Sequence, residues 1–308
     1  MRCAVLLLSG FLAFVLTTDA LAQEGLPGFR VDYYPGELPL PSPSVSSPEE
    51  DWPEDTLPDG HVARGEKGVA RAWLVMPTRR YGHGALGDGI EAGGLEVETT
   101  AEERLRFSLP NDSVFEDTIP RLADLDGDGQ DEIILVRSYR GLGASLSVLG
   151  YRLGVLGPIA ETPPIGASRL WLNPVGEGVG DFDGDGALEL AYIETPHVGG
   201  TLYIWRFNAG RLERITGLRG LSNHRFGSRW QKLSLVYDID GDGRDDILAP
   251  TQERDSLVWL SLNEEDKLVL KGTLPLPAKI ETDIEAGEGS SVRFLLSDGS
   301  LAEITPSW

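Results

Sequence analysis

Cysteine is almost absent from this chain of 308 residues, whose single cysteine is Cys3. One cysteine excludes an intramolecular disulfide. Its early position also argues against a lipoprotein signal, which needs a cysteine at the cleavage point. An exported fold without disulfides has to be held by a large core or by another kind of cross-link.

Long hydrophobic runs are also absent, with one exception at the N-terminus. Residues 4–16 are mainly apolar, follow Arg2 and precede the small residues of the segment ALA at 20–22. This order is typical of a secretory signal, and we expect cleavage before Gln23, which also removes Cys3. A membrane anchor is disfavoured because a span needs about 20 apolar residues. The sequence therefore predicts a periplasmic or secreted protein with no membrane span after cleavage.

Basic residues are scarce relative to acidic ones. The chain has 27 Lys and Arg against 49 Asp and Glu, which gives a net charge of −22. Nucleic acid and anionic membranes are disfavoured as partners, because binding to phosphate depends on Lys and Arg. The charge suits a protein that holds multivalent cations, although an acidic surface also occurs without any ligand.

Proline is concentrated in one segment near the N-terminus. Eight prolines fall between residues 27 and 58, and acidic residues cluster around Trp52. Proline fixes φ and removes a backbone donor. Residues 23–60 are therefore predicted to form an extended linker with polyproline-like stretches. The predicted organisation is a signal at 1–22, the linker at 23–60 and a folded region at 61–308.

Amphipathic helical patterns are missing from the remaining sequence. Short apolar runs are interrupted by Gly, Asn and Asp, and several alternate apolar and polar residues, as in LYIWRF at residues 202–207. Alternation with period two and many branched or aromatic side chains predict β-strands. We therefore predict an all-β domain.

An internal repeat indicates which all-β fold this is. The segments DLDGDGQDEI, DFDGDGALEL and DIDGDGRDDI begin at Asp124, Asp181 and Asp238, so that each follows the previous one by 57 residues. About five units of this length, each with roughly four strands, fit between residue 66 and the end. Four-stranded units repeated radially form a β-propeller, whereas solenoid repeats are usually shorter. We predict a propeller of about five blades, closed by an N-terminal strand near residues 60–75.

The acidic loops carry the residue types of a calcium site. Positions 1, 3 and 5 are aspartates that can converge, position 6 is glycine, position 7 offers a backbone carbonyl and position 9 is acidic. The predicted ligands are Asp124, Asp126, Asp128, Gln130 and Glu132 in the first loop, Asp181, Asp183, Asp185, Ala187 and Glu189 in the second, and Asp238, Asp240, Asp242, Arg244 and Asp246 in the third. Hard oxygen ligands in a flexible loop favour Ca²⁺ over Mg²⁺. We predict about three calcium sites, the alternative being acidic turns without an ion.

The loops are related to a known family rather than to the EF-hand. An EF-hand needs Glu at position 12 and flanking helices, whereas position 12 here is Leu135, Tyr192 or Ala249 at the start of a strand. The loops resemble the FG-GAP/VCBS repeats of integrin-α-like β-propellers, and FGS at 226–228 and LAP at 248–250 resemble degenerate FG and GAP segments. This resemblance implies a calcium loop between the first two strands of a blade. Integrin-type propellers have seven blades, and this chain has room for about five.

Candidate catalytic residues occur in two dense polar segments. One segment contains Tyr81, His83 and Asp88, and the other contains His224, Arg225 and Arg229. Either group could line a pocket for acid–base chemistry, but packing and turns explain both more simply. The sequence has no nucleophile elbow, zinc-binding spacing or phosphate loop. The tryptophans Trp171, Trp205, Trp230 and Trp259 are expected in the strand core rather than on a carbohydrate-binding platform.

Three functions are compatible with these features. The first is an exported, calcium-binding propeller that acts as a binding or scaffolding module for a protein or a cell-surface polymer. The second is a hydrolase or lyase that acts on a glycan near His83 or His224, and the third is a structural head on a proline-rich stalk. The sequence favours the first function, because variable loops on a rigid frame are suited to binding.

Overall fold

A computed structural model describes residues 26–35, 55–152, 154–286 and 291–307. These residues form strands, turns and bends without any helix, which confirms the prediction of an all-β fold. The described part of the chain accordingly offers no helix that could span a bilayer. The predicted signal at 1–22 and most of the predicted linker lie outside the described residues.

The strands are between two and ten residues long. In chain order they are β1 (Phe29–Tyr34), β2 (Ala63–Arg64), β3 (Val69–Thr78), β4 (Glu91–Thr99), β5 (Arg104–Ser108), β6 (Ser113–Phe115), β7 (Arg121–Ala123), β8 (Glu132–Tyr139), β9 (Gly143–Arg152), β10 (Val155–Glu161), β11 (Leu172–Gly180), β12 (Glu189–Glu194), β13 (Thr201–Asn208), β14 (Arg211–Arg219), β15 (Leu235–Tyr237), β16 (Asp246–Pro250), β17 (Ser256–Leu262), β18 (Leu268–Pro275), β19 (Glu285–Ala286), β20 (Val292–Leu295) and β21 (Leu301–Pro306). In β13, Leu202 and Ile204 are buried while Tyr203 and Arg206 are only partly so, as the alternation predicted.

Antiparallel pairing joins the strands into units of four. Strands β11–β14 form one sheet and β15–β18 another, both in chain order, and a third sheet has the order β1, β21, β20, β19. The remaining sheet has nine strands and contains two units, β2–β5 and β7–β10. Strand β6 connects these two units, because it pairs with both β4 and β8.

The sequence repeat has the same register in three successive units. In each of them, the residue before the acidic loop pairs across the first two strands with position 9 of the loop. The equivalent pairs are Ala123–Glu132, Gly180–Glu189 and Tyr237–Asp246. Each acidic loop therefore joins the first strand of its unit to the second, as the family resemblance implied.

Four apolar clusters lie between neighbouring units. The first cluster contains residues of β3 and β4 together with β8 and β9, and the second contains residues of β8 and β9 together with β12 and β13. The third contains residues of β12 and β13 together with β16 and β17, and the fourth contains residues of β16 and β17 together with β20 and β21. In β8, Ile133 and Leu135 belong to one cluster and Ile134 and Val136 to the next, so both faces of the strand are buried. Strands buried on both faces have continuous apolar sequences. The sheets are therefore packed face to face in a propeller-like series.

The tryptophans confirm the expectation of a strand core. Trp171, Trp205 and Trp259 are 2%, 8% and 5% exposed and belong to these clusters. Trp230 is partly buried and packs against the cluster that contains Trp259. Apolar packing between units is therefore their structural role.

The predicted N-terminal closing strand is wrong in position. Residues 60–75 contribute β2 and the start of β3, which pair with each other in the first unit. The last unit is completed by β1, which pairs with β21 from Phe29–Pro306 to Tyr34–Leu301. Phe29 packs edge-on against Trp259 at 5.9 Å between ring centroids, so β1 also covers the apolar cluster of the last two units.

The predicted linker is therefore wrong at both of its ends. Residues 29–34 form a sheet strand. Farther along, Leu57 is 1% exposed, and its N–H donates to the carbonyl of Leu74 over 2.9 Å. Strand pairing and the burial of apolar side chains outweigh the preference for an unpaired, polyproline-like chain that the neighbouring prolines impose. Residues 36–54 lie outside the described residues.

Candidate metal centres

The three acidic loops, residues 124–132, 181–189 and 238–246, share one backbone conformation. Each has glycine at positions 4 and 6, with φ of 71° and 85° in the first loop, 77° and 87° in the second, and 74° and 89° in the third. A side chain is strained in this left-handed region. The sequence analysis gave a conformational role to position 6 alone, and the structure adds the same role at position 4.

Aspartates close each loop by bonding to its backbone. The carboxylate at position 1, from Asp124, Asp181 or Asp238, accepts the N–H of position 6 over 3.2, 3.0 and 3.1 Å respectively. The carboxylate at position 5 accepts the N–H of position 7 over 2.8, 2.8 and 3.0 Å. Side chains that bond to nearby backbone N–H groups stabilise tight turns. The loops are therefore ordered by their own carboxylates.

The acidic residue at position 9 begins the second strand of each unit. Glu132, Glu189 and Asp246 are 3%, 0% and 2% exposed. In each residue one carboxylate oxygen accepts the N–H of position 2, over 2.9, 3.1 and 3.2 Å respectively. This bond fixes a buried carboxyl group beneath the loop.

The structure brings positions 1, 3 and 9 of each loop together. One oxygen from each residue lies within 4.8 Å of the others in the groups Asp124–Asp126–Glu132, Asp181–Asp183–Glu189 and Asp238–Asp240–Asp246. The position 5 aspartates, Asp128, Asp185 and Asp242, are exposed and lie outside these groups. The position 7 residues, Gln130, Ala187 and Arg244, use their N–H groups to hold position 5. Nine of the fifteen predicted ligands are thus placed around three common points.

The donor atoms fit a hard divalent cation. Every side-chain oxygen in the three groups is a carboxylate oxygen, the ligand that Ca²⁺ and Mg²⁺ prefer. The Oδ1 atom of Asp124 is buried and has no hydrogen-bond partner among the described residues. An unpaired buried carboxylate oxygen is costly. A cation at this point would satisfy it.

Residues 181–249, which contain the second and third loops, match the sequence model of the FG-GAP-like repeat. This part of the chain carries an FG-GAP-like repeat. The family resemblance that the loop sequences predicted is thereby confirmed for these residues, and the first loop, outside the match, has the same conformation as the two loops within it.

Among solved structures, the chain is similar to the exotype rhamnogalacturonan lyase YesX, known from a crystal structure. The TM-score is 0.43 and the sequence identity is 14%. The similar region covers 86% of this chain but only 57% of that one, so the chain spans little more than half the length of the lyase. No curated protein matches the sequence.

The electrostatics of the acidic loops disfavour the charged form of the carboxyl group at position 9. Burial raises the pKa of Glu132 to about 7, with a further contribution from Asp126. Burial likewise raises the pKa of Glu189 to about 7, and Asp183 adds to the effect. Desolvation and nearby like charges both oppose ionisation of a carboxyl group. A bound divalent cation would offset both.

The polar segment that contains Tyr81, His83 and Asp88 lies at the opposite end of the strands from the acidic loops. His83 follows β3, and its Nδ1 atom is 2.7 Å from Oε1 of the buried Glu116. Ser138 donates to the other oxygen of Glu116 over 2.5 Å. Asp88, which the sequence analysis grouped with His83, instead accepts from Arg229 over 2.8 Å.

In the second segment, His224 packs in the interior, whereas Arg225 lies at the surface. His224 is fully buried, with Nδ1 at 2.8 Å from Nε2 of His197 and Nε2 at 3.0 Å from the carbonyl of Ser228. Burial lowers the pKa of His197 to about 4 and also lowers that of His224, so both rings are neutral near pH 7. Arg225 pairs with Glu281 at 2.7 Å rather than with His224. This arrangement serves packing between units.

Sequence reasoning missed the basic side chains that contact the acidic groups. Arg152, Arg206 and Lys271 lie in β9, β13 and β18, outside the loop motif. Only Arg206 could have been found from the sequence, because it is the cross-strand partner of Glu189 in the β12–β13 hairpin. The other two are brought to the loops by the fold alone.

Proposed function

We propose that the protein is an exported, calcium-binding β-propeller of five four-stranded blades that serves as a binding or scaffolding module for a protein or a cell-surface polymer. The observation that carries this proposal is the threefold repetition of one acidic group at one register position. Three copies between the first two strands of successive units are difficult to explain as unrelated acidic turns.

The proposed blades follow the sheet units. Four of them are β2–β5, β7–β10 with β6 as an added segment, β11–β14 and β15–β18, and the fifth is β19–β21 completed by β1. Among the described residues, none of the four apolar clusters contains side chains from both the β2–β5 unit and the β1/β19–β21 sheet. Closure of the ring between these two units is therefore part of the proposal.

Calcium would be held by positions 1, 3 and 9 of each loop. It would supply positive charge to carboxylates that repel one another, and so fix the connection between the first two strands of three blades. Binding to the folded state alone stabilises that state. Extracellular calcium modules bind at roughly 10⁻⁴–10⁻³ M, which suits a protein exported through a signal at residues 1–22.

The proposed binding surface is the face opposite the calcium loops. Val198 and Phe226 are 79% and 51% exposed there, beside His83 and His197. Connections at this end differ in length and sequence from unit to unit, while the sheets beneath them are packed on both sides. Variable loops on a rigid frame are the usual arrangement for recognition.

An enzymatic function is not proposed. His224 is fully buried and bonded on both ring nitrogens, and Glu116 is buried beneath His83 with both oxygens bonded. Groups that are satisfied by the protein in this way serve structure more readily than acid–base chemistry on a substrate.

Calorimetric titration of the chain from Gln23 with Ca²⁺ tests the proposal. We expect about three sites in the wild type and none in the triple variant Asp124→Asn, Asp181→Asn, Asp238→Asn. Asp298→Asn is the control, because it removes an exposed aspartate between β20 and β21, outside the three acidic loops. Equal heats in the wild type and the triple variant would refute the assignment of the loops.

A further inference from the structure

Each of the three acidic groups is contacted by a basic side chain of the protein itself. Arg152 lies on the first group, Arg206 on the second and Lys271 on the third. We propose that these side chains compete with the divalent cation for the carboxylates of the acidic groups. The different strength of this competition in the three loops sets the order in which the loops bind calcium. This inference rests on the proposed calcium function.

The second loop has the tightest internal counter-ion. Nη2 of Arg206 donates to Oδ2 of Asp183, and Nε lies 3.2 Å from Oε1 of Glu189. One guanidinium therefore spans positions 3 and 9, both of which a metal would need. The Arg206 side chain is 35% exposed, and the bridged Glu189 carboxyl is buried. Charge-assisted bonds to a buried carboxylate are stronger than exposed pairs.

A second acceptor for Arg206 is already in place. Oδ1 of Asp266, in the turn between β17 and β18 of the next unit, lies 3.8 Å from Nη2. A cation that takes Asp183 and Glu189 would leave Arg206 with this acceptor. Filling the second loop would then leave Arg206 paired with the neighbouring unit rather than leave its guanidinium without a counter-charge.

The first loop has two counter-ions, both more exposed. Nη2 of Arg152 lies 2.6 Å from Oδ2 of Asp126 and 4.0 Å from Oε1 of Glu132. Nζ of Lys67 lies 3.3 Å from Oδ2 of Asp124. The side chains of Arg152 and Lys67 are 49% and 59% exposed, so solvent weakens both contacts. Competition is therefore present here at all three ligand positions, through contacts that are open to solvent.

Among the described residues, the third loop has a single counter-ion, which contacts a single carboxylate. Nζ of Lys271 lies 3.3 Å from Oδ2 of Asp240, and within the described residues no other Lys or Arg pairs with this acidic group. The buried Asp246 is bonded by the neutral hydroxyl of Ser261 instead. A metal that enters this loop displaces one ammonium group from one carboxylate. The third loop should therefore bind first, and the first and second loops at higher calcium concentration.

Removal of the counter-ion provides the direct test. In calorimetry of the full chain from Gln23, Arg206→Gln should tighten one calcium site by roughly three- to tenfold. Arg219→Gln is the matched control: it removes the same charge from the same sheet, at an exposed residue of β14 outside the loop contacts. The gain should shrink as salt rises, because a charge effect is screened. Melting curves identify any variant that has lost its fold.

The order of filling has its own test. Asp238→Asn should remove the tightest calcium step, whereas Asp124→Asn and Asp181→Asn should each remove a weaker one. If wild-type binding is normal but Arg206→Gln behaves like Arg219→Gln, or if Asp181→Asn removes the tightest step, the counter-ion inference fails while the proposed function stands. Absence of calcium binding in the wild type and every variant would overturn both.

Discussion

Asp181 and Asp245 are joined by two reciprocal hydrogen bonds. The backbone N–H of Asp181 donates to Oδ2 of Asp245 over 2.9 Å, and the N–H of Asp245 donates to the carbonyl of Asp181 over 2.8 Å. Asp181 is position 1 of the second loop and Asp245 is position 8 of the third, so the two acidic loops are connected directly. A Cβ atom on Gly184 would lie 2.9 Å from Arg244 Cγ, which shows how closely the loops pack.

Replacement of Asp245 should loosen this connection. Asp245→Leu, which copies the residue at the same position of the second loop, Leu188, removes the acceptor of the Asp181 N–H. We expect a loss of about 1 kcal/mol in the free energy of unfolding, measured with urea. Asp245→Asn keeps an acceptor oxygen and should remain close to the wild type. Equal stability of the two variants would show that the contact contributes nothing.

The glycines of the loops offer a test of backbone strain. Gly186 has φ of 87°, and a Cβ atom on it would meet nothing within 4 Å. Gly157 in β10 also has open space but no positive φ. Gly186→Ala should therefore cost roughly 1–2 kcal/mol of stability, whereas Gly157→Ala should be neutral or slightly stabilising. Thermal or urea unfolding of the two variants separates strain from steric clash.

The N-terminal strand should contribute substantially to stability. Phe29 is partly buried and packs on Trp259, while Tyr34 at the other end of β1 is 44% exposed. Phe29→Ala should destabilise the protein by about 1–3 kcal/mol, somewhat less than for a fully buried phenylalanine. Tyr34→Ala should cost less than about 1 kcal/mol. Comparable losses in both variants would argue against anchoring by the Phe29–Trp259 contact.

Stability of the metal-free protein should depend on pH. The pKa values of Glu132 and Glu189 are raised from 4.5 to about 7 by burial, so the folded state holds more protons than the unfolded chain in this range. Stabilisation from these protons is complete below pH 4.5 and is lost as pH rises to about 7. With chelator present, unfolding free energies at pH 5 and pH 7 should differ less in the double variant Glu132→Gln, Glu189→Gln than in the wild type. An identical difference in both proteins would contradict these pKa shifts.

The parts of the fold that depend on local sequence were predictable. The 57-residue spacing predicted equivalent positions for the three acidic loops, because a repeated motif between two strands locates the end of one strand and the start of the next. The alternation at residues 202–207 gave the burial of β13. Strand β1 was missed because its partner β21 lies at the other end of the chain, and because the prolines around FRVDYY indicate a linker.

The acidic groups were predictable for the same local reason, whereas their counter-ions were not. Asp124, Asp126 and Glu132 lie within nine residues of one another in the sequence. Arg152 and Lys271 reach their carboxylates only after hairpins of different length have formed. Tertiary contacts of this kind leave no fixed spacing in a sequence.

Thermal unfolding of the chain from Gln23, in millimolar Ca²⁺ and in excess chelator, tests the central claim most directly. Ions that bind the folded loops and not the unfolded chain raise the melting temperature by mass action. We therefore expect a clear upward shift with calcium in the wild type and no shift in the triple variant Asp124→Asn, Asp181→Asn, Asp238→Asn. Coincident wild-type curves with calcium and with chelator would mean that the loops are acidic turns without a metal.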